Sequence, residues 1–335
     1  MPRIVNRNRP MQPAHTSGTR SHRITCIRFS ALFLAAASLG LMNSPAHAVR
    51  EIFVSIPPQA SIVEAIGGEQ VNVQILVRPG QDPHTFSPTP KQVVALGRAE
   101  IYFYIGLPFE EVLLSRVSAG HEHLTIVDMG SRIEKRMMAT AHHHHAEAAS
   151  DGPVEEQDHH DHLGAHSAHE TNQHPDPHIW LSPPLLETIA RNVAEALTAS
   201  DPAHGDFYQQ NLERFVQRVA ETHARITRIL EPCRGAPLFV FHPAFGYFAD
   251  TYGLEQIAVE TAGKDPSPRK LAAMIRRARQ EGVRVIFVQP QFDRKSANAI
   301  AESIDGVVVP LNPMARDVLT NLEEIASQVE GALGK

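Results

Sequence analysis

Apolar runs of four to seven residues alternate with longer segments of helical period along most of this chain. Residues 51–56, 71–77, 101–105 and 124–127 read as strands. Between them 59–66, 90–99 and 109–117 read as helices, the first stopped by Gly67-Gly68. The same rhythm returns with strands at 238–241, 255–259, 283–288 and 307–311 and helices at 245–252, 267–279, 294–304 and 317–333. Strands separated by helices at this spacing form parallel βαβ units, so the fold class is α/β. A length of 335 residues permits one large domain or two medium ones, and 42% hydrophobic residues can fill a core. Because the alternation occurs on both sides of a low-complexity stretch, two similar lobes are expected, each a mostly parallel sheet flanked by helices. No internal sequence repeat accompanies them.

Between the lobes, Pro184–Thr198 reads as a helix. Asp201-Pro202 starts another, with Asp201 as its N-cap. Phe207, Leu212, Phe215, Val219, Ile226, Ile229 and Leu230 then follow mostly 3–4 spacing up to Pro232. A continuous helix of that length spans about 35–40 Å at 1.5 Å per residue and would serve as a rigid strut. The competing reading is a surface helix broken near Glu221-Thr222, since such a period needs only one packed face.

The first 48 residues are not expected to join the fold. Six arginines, Arg3, Arg7, Arg9, Arg20, Arg23 and Arg28, stand there without an acidic residue. The apolar run Ala31 to Met42 and the small residues of Pro45-Ala46-His47-Ala48 complete a secretory signal cleaved after Ala48. The run is too short and too rich in Ala, Ser and Gly for a transmembrane helix, which is the alternative as an uncleaved anchor. Cys26 precedes the apolar run, which argues against a lipid anchor there. Taking those six arginines from 31 basic residues leaves 25 against 37 acidic ones, a net charge near −12. That balance excludes nucleic acid and anionic membrane as partners and suits the collection of a cation. With Cys26 gone only Cys233 remains, so thiolate-rich zinc sites are ruled out.

Residues 136–175 hold ten histidines between His142 and His174: His142 to His145, His159, His160, His162, His166, His169 and His174. Large apolar groups are nearly absent, so a disordered loop is expected. It is either a low-affinity metal collector or a solvated spacer. Three further histidines share another context: Asp82-Pro83-His84-Thr85-Phe86, Asp176-Pro177-His178-Ile179-Trp180 and Phe241-His242-Pro243-Ala244-Phe245. Each lies near a strand end or loop beside proline and aromatics, where open α/β sheets bind ligands. Proline stiffens the backbone and aromatic rings exclude water. Three neutral imidazoles suit Zn²⁺, whereas Mn²⁺ calls for more carboxylate and Mg²⁺ or Ca²⁺ for oxygen throughout. Taken singly, each histidine is as readily a satisfied structural residue.

These motifs carry a resemblance to the cluster A-I periplasmic metal-binding proteins of ABC importers, most closely the ZnuA-like zinc-binding members. The resemblance covers nearly the whole chain after residue 48. It rests on Asp82 to Phe86, Asp176 to Leu181, Phe241 to Phe248 and the histidine-rich segment before the second motif. It implies two α/β lobes joined by one long rigid helix, with metal in the cleft between them. His84 and His178 would come from the first lobe and its junction, and His242 from the second. Where members of the family often carry an acid after the last strand, this chain has Asn312, and where zinc members often carry Glu it has Gln289. The fourth position is therefore open to water, to Asn312 through its carbonyl, or to a histidine of the tract. The implied domains are a signal peptide (1–48), an N-terminal lobe (49–135), the histidine-rich loop (136–175), a junction (176–204), a linking helix (205–231) and a C-terminal lobe (232–335).

The function so implied is a monomeric periplasmic receptor that captures Zn²⁺ and delivers it to an ABC-type permease in the inner membrane. It inserts into no membrane and catalyses no reaction. A manganese, iron or other divalent-metal receptor of the same family is the alternative. The rival class is a zinc hydrolase, since three histidines and an open position also describe hydrolytic sites. Glu110 and Glu111 are the carboxylates nominated as its general base. H-E-x-x-H, G-x-S-x-G and nucleotide loops are all absent. An adhesin on the same scaffold forms a third class.

Overall fold

A computed structural model describes residues 49–118, 120, 123–138, 174–260 and 267–334. The expected signal segment, and every histidine of the tract except His174, lie outside the described residues.

The first sheet has four parallel strands in the order β2-β1-β3-β4. They are β1 (Arg50–Val54), β2 (Val71–Ile75), β3 (Ile101–Tyr104) and β4 (Thr125–Asp128), connected through helices α1 (Pro57–Gly67), α2 (Pro90–Leu96) and α3 (Pro108–Val117). Its central strands bury consecutive residues, Ile52 to Val54 and Ile101 to Phe103, whereas edge strand β2 alternates half-buried with exposed. Central strands covered on both faces read as unbroken apolar runs for that reason.

A second sheet repeats the topology in the order β6-β5-β7-β8. It comprises β5 (Pro237–Val240), β6 (Glu255–Ala258), β7 (Val285–Val288) and β8 (Val307–Pro310). All four residues of β7 are buried. Here α6 (Gly246–Tyr252), α7 (Pro268–Gln280) and α8 (Lys295–Ser303) are the intervening helices, and α9 (Val318–Leu333) closes the chain. The two sheets share a strand order without sharing a sequence, because only the pattern of apolar runs has to recur.

Two helices connect them: α4 (Pro183–Ser200) and α5 (Gly205–Leu230). Helix α5 is unbroken over 26 residues, about 39 Å. It packs against α4 and α1 on one side and α9 on the other. Near its start Asn211 Nδ2 donates to Ile66 O at 2.8 Å. Near its end Thr222 Oγ1 and the Arg225 guanidinium donate to Glu323 at 2.8 and 2.6 Å. One helix therefore holds both sheets.

Asp201 is not the N-cap of α5. A short 3₁₀ turn, Pro202–His204, intervenes. The carboxylate instead accepts from His204 Nδ1 at 2.7 Å and Tyr208 Oη at 2.9 Å, and pairs with Arg50 Nε at 3.3 Å. Burial opposes the charge, but those partners outweigh it and hold the group at about 2. Asp201 thus ties the start of β1 to the α4–α5 corner, a use the local sequence did not reveal.

The continuity of α5 can be tested at exposed Glu221. Glu221→Pro should cost about 3 kcal/mol or more in urea unfolding, by removing a helical hydrogen bond and clashing with the preceding turn. A helix broken at this point would tolerate the change with a loss well under 1 kcal/mol.

Candidate metal centre

The loop after β2 carries His84, the turn before α4 carries His178, and the residues after β5 carry His242. Strand ends of both sheets thereby bring three imidazoles together. Ring centroids are 4.5 Å apart for His84 and His242, 5.3 Å for His178 and His242, and 5.4 Å for His84 and His178. One ring nitrogen from each lies within 4.8 Å of the others. Tetrahedral ligands at ~2.05 Å from a zinc ion stand about 3.3 Å apart, so each pair needs to draw in by no more than about 1.5 Å. Among the described residues no carboxylate or thiolate joins this group.

Two carboxylates orient two of the rings. Asp176 Oδ1 accepts from His178 Nδ1 at 2.7 Å and from the His178 backbone amide at 3.0 Å. Glu260 Oε1 is paired with His242 Nδ1. An ionised carboxylate only accepts, so each Nδ1 carries the hydrogen and each Nε2 presents a lone pair. Both carboxylates are buried. The first Asp-Pro-His sequence works differently: Asp82 Oδ1 accepts from the His84 amide at 2.9 Å and Oδ2 from Thr85 Oγ1 at 3.0 Å. It shapes the loop rather than the ring. Among the described residues, the buried side-chain nitrogen and oxygen atoms without a hydrogen-bond partner are His84 Nε2 and His242 Nε2.

The surroundings are aromatic. Phe292 stacks on His242 at 5.1 Å and Trp180 tilts over His178 at 5.2 Å. Burial, followed by the proximity of His242 and His178, pushes the His84 imidazole well below the ordinary histidine value. Burial also lowers His178, against the pull of Asp176. Both are thus held neutral, with lone pairs available.

Gln289 and Asn312 both have structural partners. Gln289 is fully buried; its Oε1 accepts from the His242 amide at 3.2 Å and its Nε2 donates to His242 O at 2.7 Å. Asn312 is exposed after β8. Its Oδ1 accepts from the Met314 amide and its backbone oxygen from Asn321 Nδ2, both at 2.9 Å. Glu110, in the first turn of α3, is buried, and Ser55 Oγ and the amides of Ile105, Gly106 and Leu107 occupy its oxygens. Burial raises it to about 7 in spite of those bonds. Glu111 is exposed.

Glu260 was missed in the sequence, although strand register points to it. Val240 pairs with Ala258 in the parallel β5–β6 ladder. Two residues beyond each lie His242 and Glu260, side by side.

The family described as "Zinc-uptake complex component A periplasmic" (ZnuA) matches residues 52–327. The chain belongs to the ZnuA family. The high-affinity zinc uptake system protein ZnuA of Paracoccus denitrificans is 31% identical over 284 residues, covering 82% of this chain and 87% of that protein. The ZnuA protein of Haemophilus influenzae is 28% identical over 86% of this chain and 92% of its own. Among solved structures, a crystal structure of ZnuA superposes with a TM-score of 0.73 at 34% identity, covering 85% of this chain and 99% of that one. A ZnuA deletion mutant with zinc bound gives 0.72 at 33%, over 86% and 99%. ZnuA is a periplasmic metal-binding transport component and not an enzyme, which removes the hydrolase reading. No helix among the described residues is long and apolar enough to cross a membrane.

The lowered histidines make a prediction for the metal-free protein. The unfolded chain takes up protons near pH 6.5 while folded His84 and His178 resist, so stability falls as pH drops below that value. The loss approaches about 1.4 kcal/mol per pH unit for each group until its folded pKa is reached. Urea unfolding between pH 7 and 5 should show this slope, and His84→Gln should flatten it.

Proposed function

We propose that this protein captures Zn²⁺ between its lobes with His84, His178 and His242 and delivers it to an ABC-type permease of the inner membrane for high-affinity zinc uptake. The observation that carries this reading is the pair of buried, partnerless Nε2 atoms of His84 and His242, beside a third imidazole oriented by a carboxylate. A buried acceptor without a partner costs about 1–3 kcal/mol, and a cation would relieve two at once. Asp176 and Glu260 supply the two negative charges that balance a dication without contacting it.

An all-nitrogen donor set favours zinc over manganese, which prefers oxygen ligands. Because Asn312 Oδ1 accepts from the Met314 amide and its backbone oxygen from Asn321 of α9, water is the better occupant of the fourth position. The lobes for this purpose are residues 49–135 and 232–335, with 176–204 as junction and 205–231 as linking helix. The protein would act in the periplasm after removal of residues 1–48, as a monomer, with residues 136–175 as an accessory metal-collecting segment. Family membership and the zinc-uptake names of its relatives support the transport role; the permease follows from the ABC importers to which such proteins belong.

Competition titration with a zinc chelator tests the site. A protein zinc site worth ~10–16 kcal/mol shared over four ligands gives about 3 kcal/mol each, so every single His→Ala change should weaken the tight site on the order of 100-fold. Deleting residues 142–173 should remove only weaker sites; losing tight binding there would overturn the assignment. Since His84 and His178 are held neutral below the ordinary histidine value, affinity should vary little through about pH 6.5 and fall only as the pH drops to their lowered values and protons compete.

A further inference from the structure

The segments that flank the histidine-rich stretch meet again as a short antiparallel stem. Met137 bridges Pro175, the Met138 amide donates to His174 O at 3.0 Å, and the Asp176 amide donates to Arg136 O at 2.7 Å. This stem is hooked onto the second lobe. The Tyr247 hydroxyl, on α6, accepts from the Arg136 amide at 2.9 Å and donates to Asp176 O at 3.1 Å. The Arg136 guanidinium pairs with Asp250, one helical turn further along α6, at 2.9 Å, and its Nε stands 3.8 Å from Asp176 Oδ2. It lies over the Tyr247 ring at 5.7 Å and fills the space above Gly246, where a Cβ would collide with it.

Asp176 is the residue that orients His178. Helix α6 starts four residues after His242. The hook therefore joins two of the three imidazoles across the lobes: Asp176 touches the His178 ring, while the contacts recorded for Arg136, Tyr247 and Asp250 reach neither ring. We propose that Arg136, Tyr247 and Asp250 form an interlobe clasp that fixes the Asp176–His178 pair against α6 and thereby sets how long the captured cation is retained. They are positioning residues, and this inference rests on the three-histidine reading above.

The clasp acts on dissociation. Entry needs only the imidazoles to be exposed in turn, whereas escape needs His178 and His242 to separate. Removing the Tyr247 hydroxyl leaves the Arg136 amide and Asp176 carbonyl without their shared partner, and the His178 ring loses the anchorage of its carboxylate. Loss of an outer partner of this kind typically weakens a metal site 10–100-fold.

Stopped-flow transfer of Zn²⁺ from the full protein to excess chromophoric chelator reads retention directly, and the fluorescence of the single tryptophan, Trp180, reads association. Tyr247→Phe should release zinc about 10-fold faster, with association changed less than two-fold. Asp250→Asn, at a side chain two-thirds exposed and so little needed for folding, should release it several-fold faster, and Asp250→Glu should restore the slow rate. Ile300→Val, in the second-lobe core, should lower urea stability and leave release unchanged. Wild-type release rates in both Tyr247→Phe and Asp250→Asn, on a site that His178→Ala weakens about 100-fold, would overturn the clasp alone. Tight zinc binding that survives His178→Ala would overturn the three-histidine reading itself, and the clasp with it.

Discussion

The hydrogen bonds that His178 donates to Asp176 and His242 donates to Glu260 decide what this site can be. An imidazole free to rotate presents either nitrogen to any donor nearby. A carboxylate on Nδ1 removes that freedom, because it accepts only, and leaves the Nε2 lone pair pointing elsewhere. The backbone of His242 is fixed by Gln289 from below and that of His178 by Asp176 itself. The sequence positions of these partners explain the architecture. Asp176 is local, two residues from its histidine, and needs only a stiff Asp-Pro-His turn. Glu260 is 18 residues from His242 and needs two parallel strands in register.

Two sheets of the same strand order therefore do different work for one site. The first offers a loop, through His84, shaped by Asp82, which accepts from the His84 amide and from Thr85 Oγ1. The second offers a strand end, through His242, braced by a neighbouring strand. Helix α5 sets the separation between them. A helix cannot shorten without giving up backbone hydrogen bonds, so a strut of about 39 Å restricts the lobes to tilting about it. That geometry is suited to a small ion, which needs a gap closed by an ångström or two, rather than to a ligand requiring a wide hinge.

Much of this was legible beforehand because the physical signals were local. Apolar runs of strand length and the 3–4 spacing of α5 both depend on residues close in sequence. The three histidines were legible because they stood near strand ends or loops beside proline and aromatics. What escaped notice was the set of polar contacts that depend on tertiary register. Glu260 looked like an ordinary acid after a strand. Asp201 looked like a helix cap, and instead a 3₁₀ turn turned it toward Arg50 and Tyr208. Gln289 looked like a missing ligand, whereas its amide offers both a donor and an acceptor to the His242 backbone, which a carboxylate could not do.

A cluster of three buried imidazoles is an expensive thing for a fold to maintain. A buried nitrogen left without any partner costs about 1–3 kcal/mol against a typical total stability of about 5–15 kcal/mol, and no protein group partners His84 Nε2 or His242 Nε2. Protonation is no escape, because burial and neighbouring rings hold His84 well below its ordinary value. The ring is kept in place by what surrounds it: Phe86 against Phe109 on one side of the loop, and Phe292 and Trp180 across the other two rings. Such a penalty is sustained only where the surrounding structure over-determines it, and it runs in the direction of function.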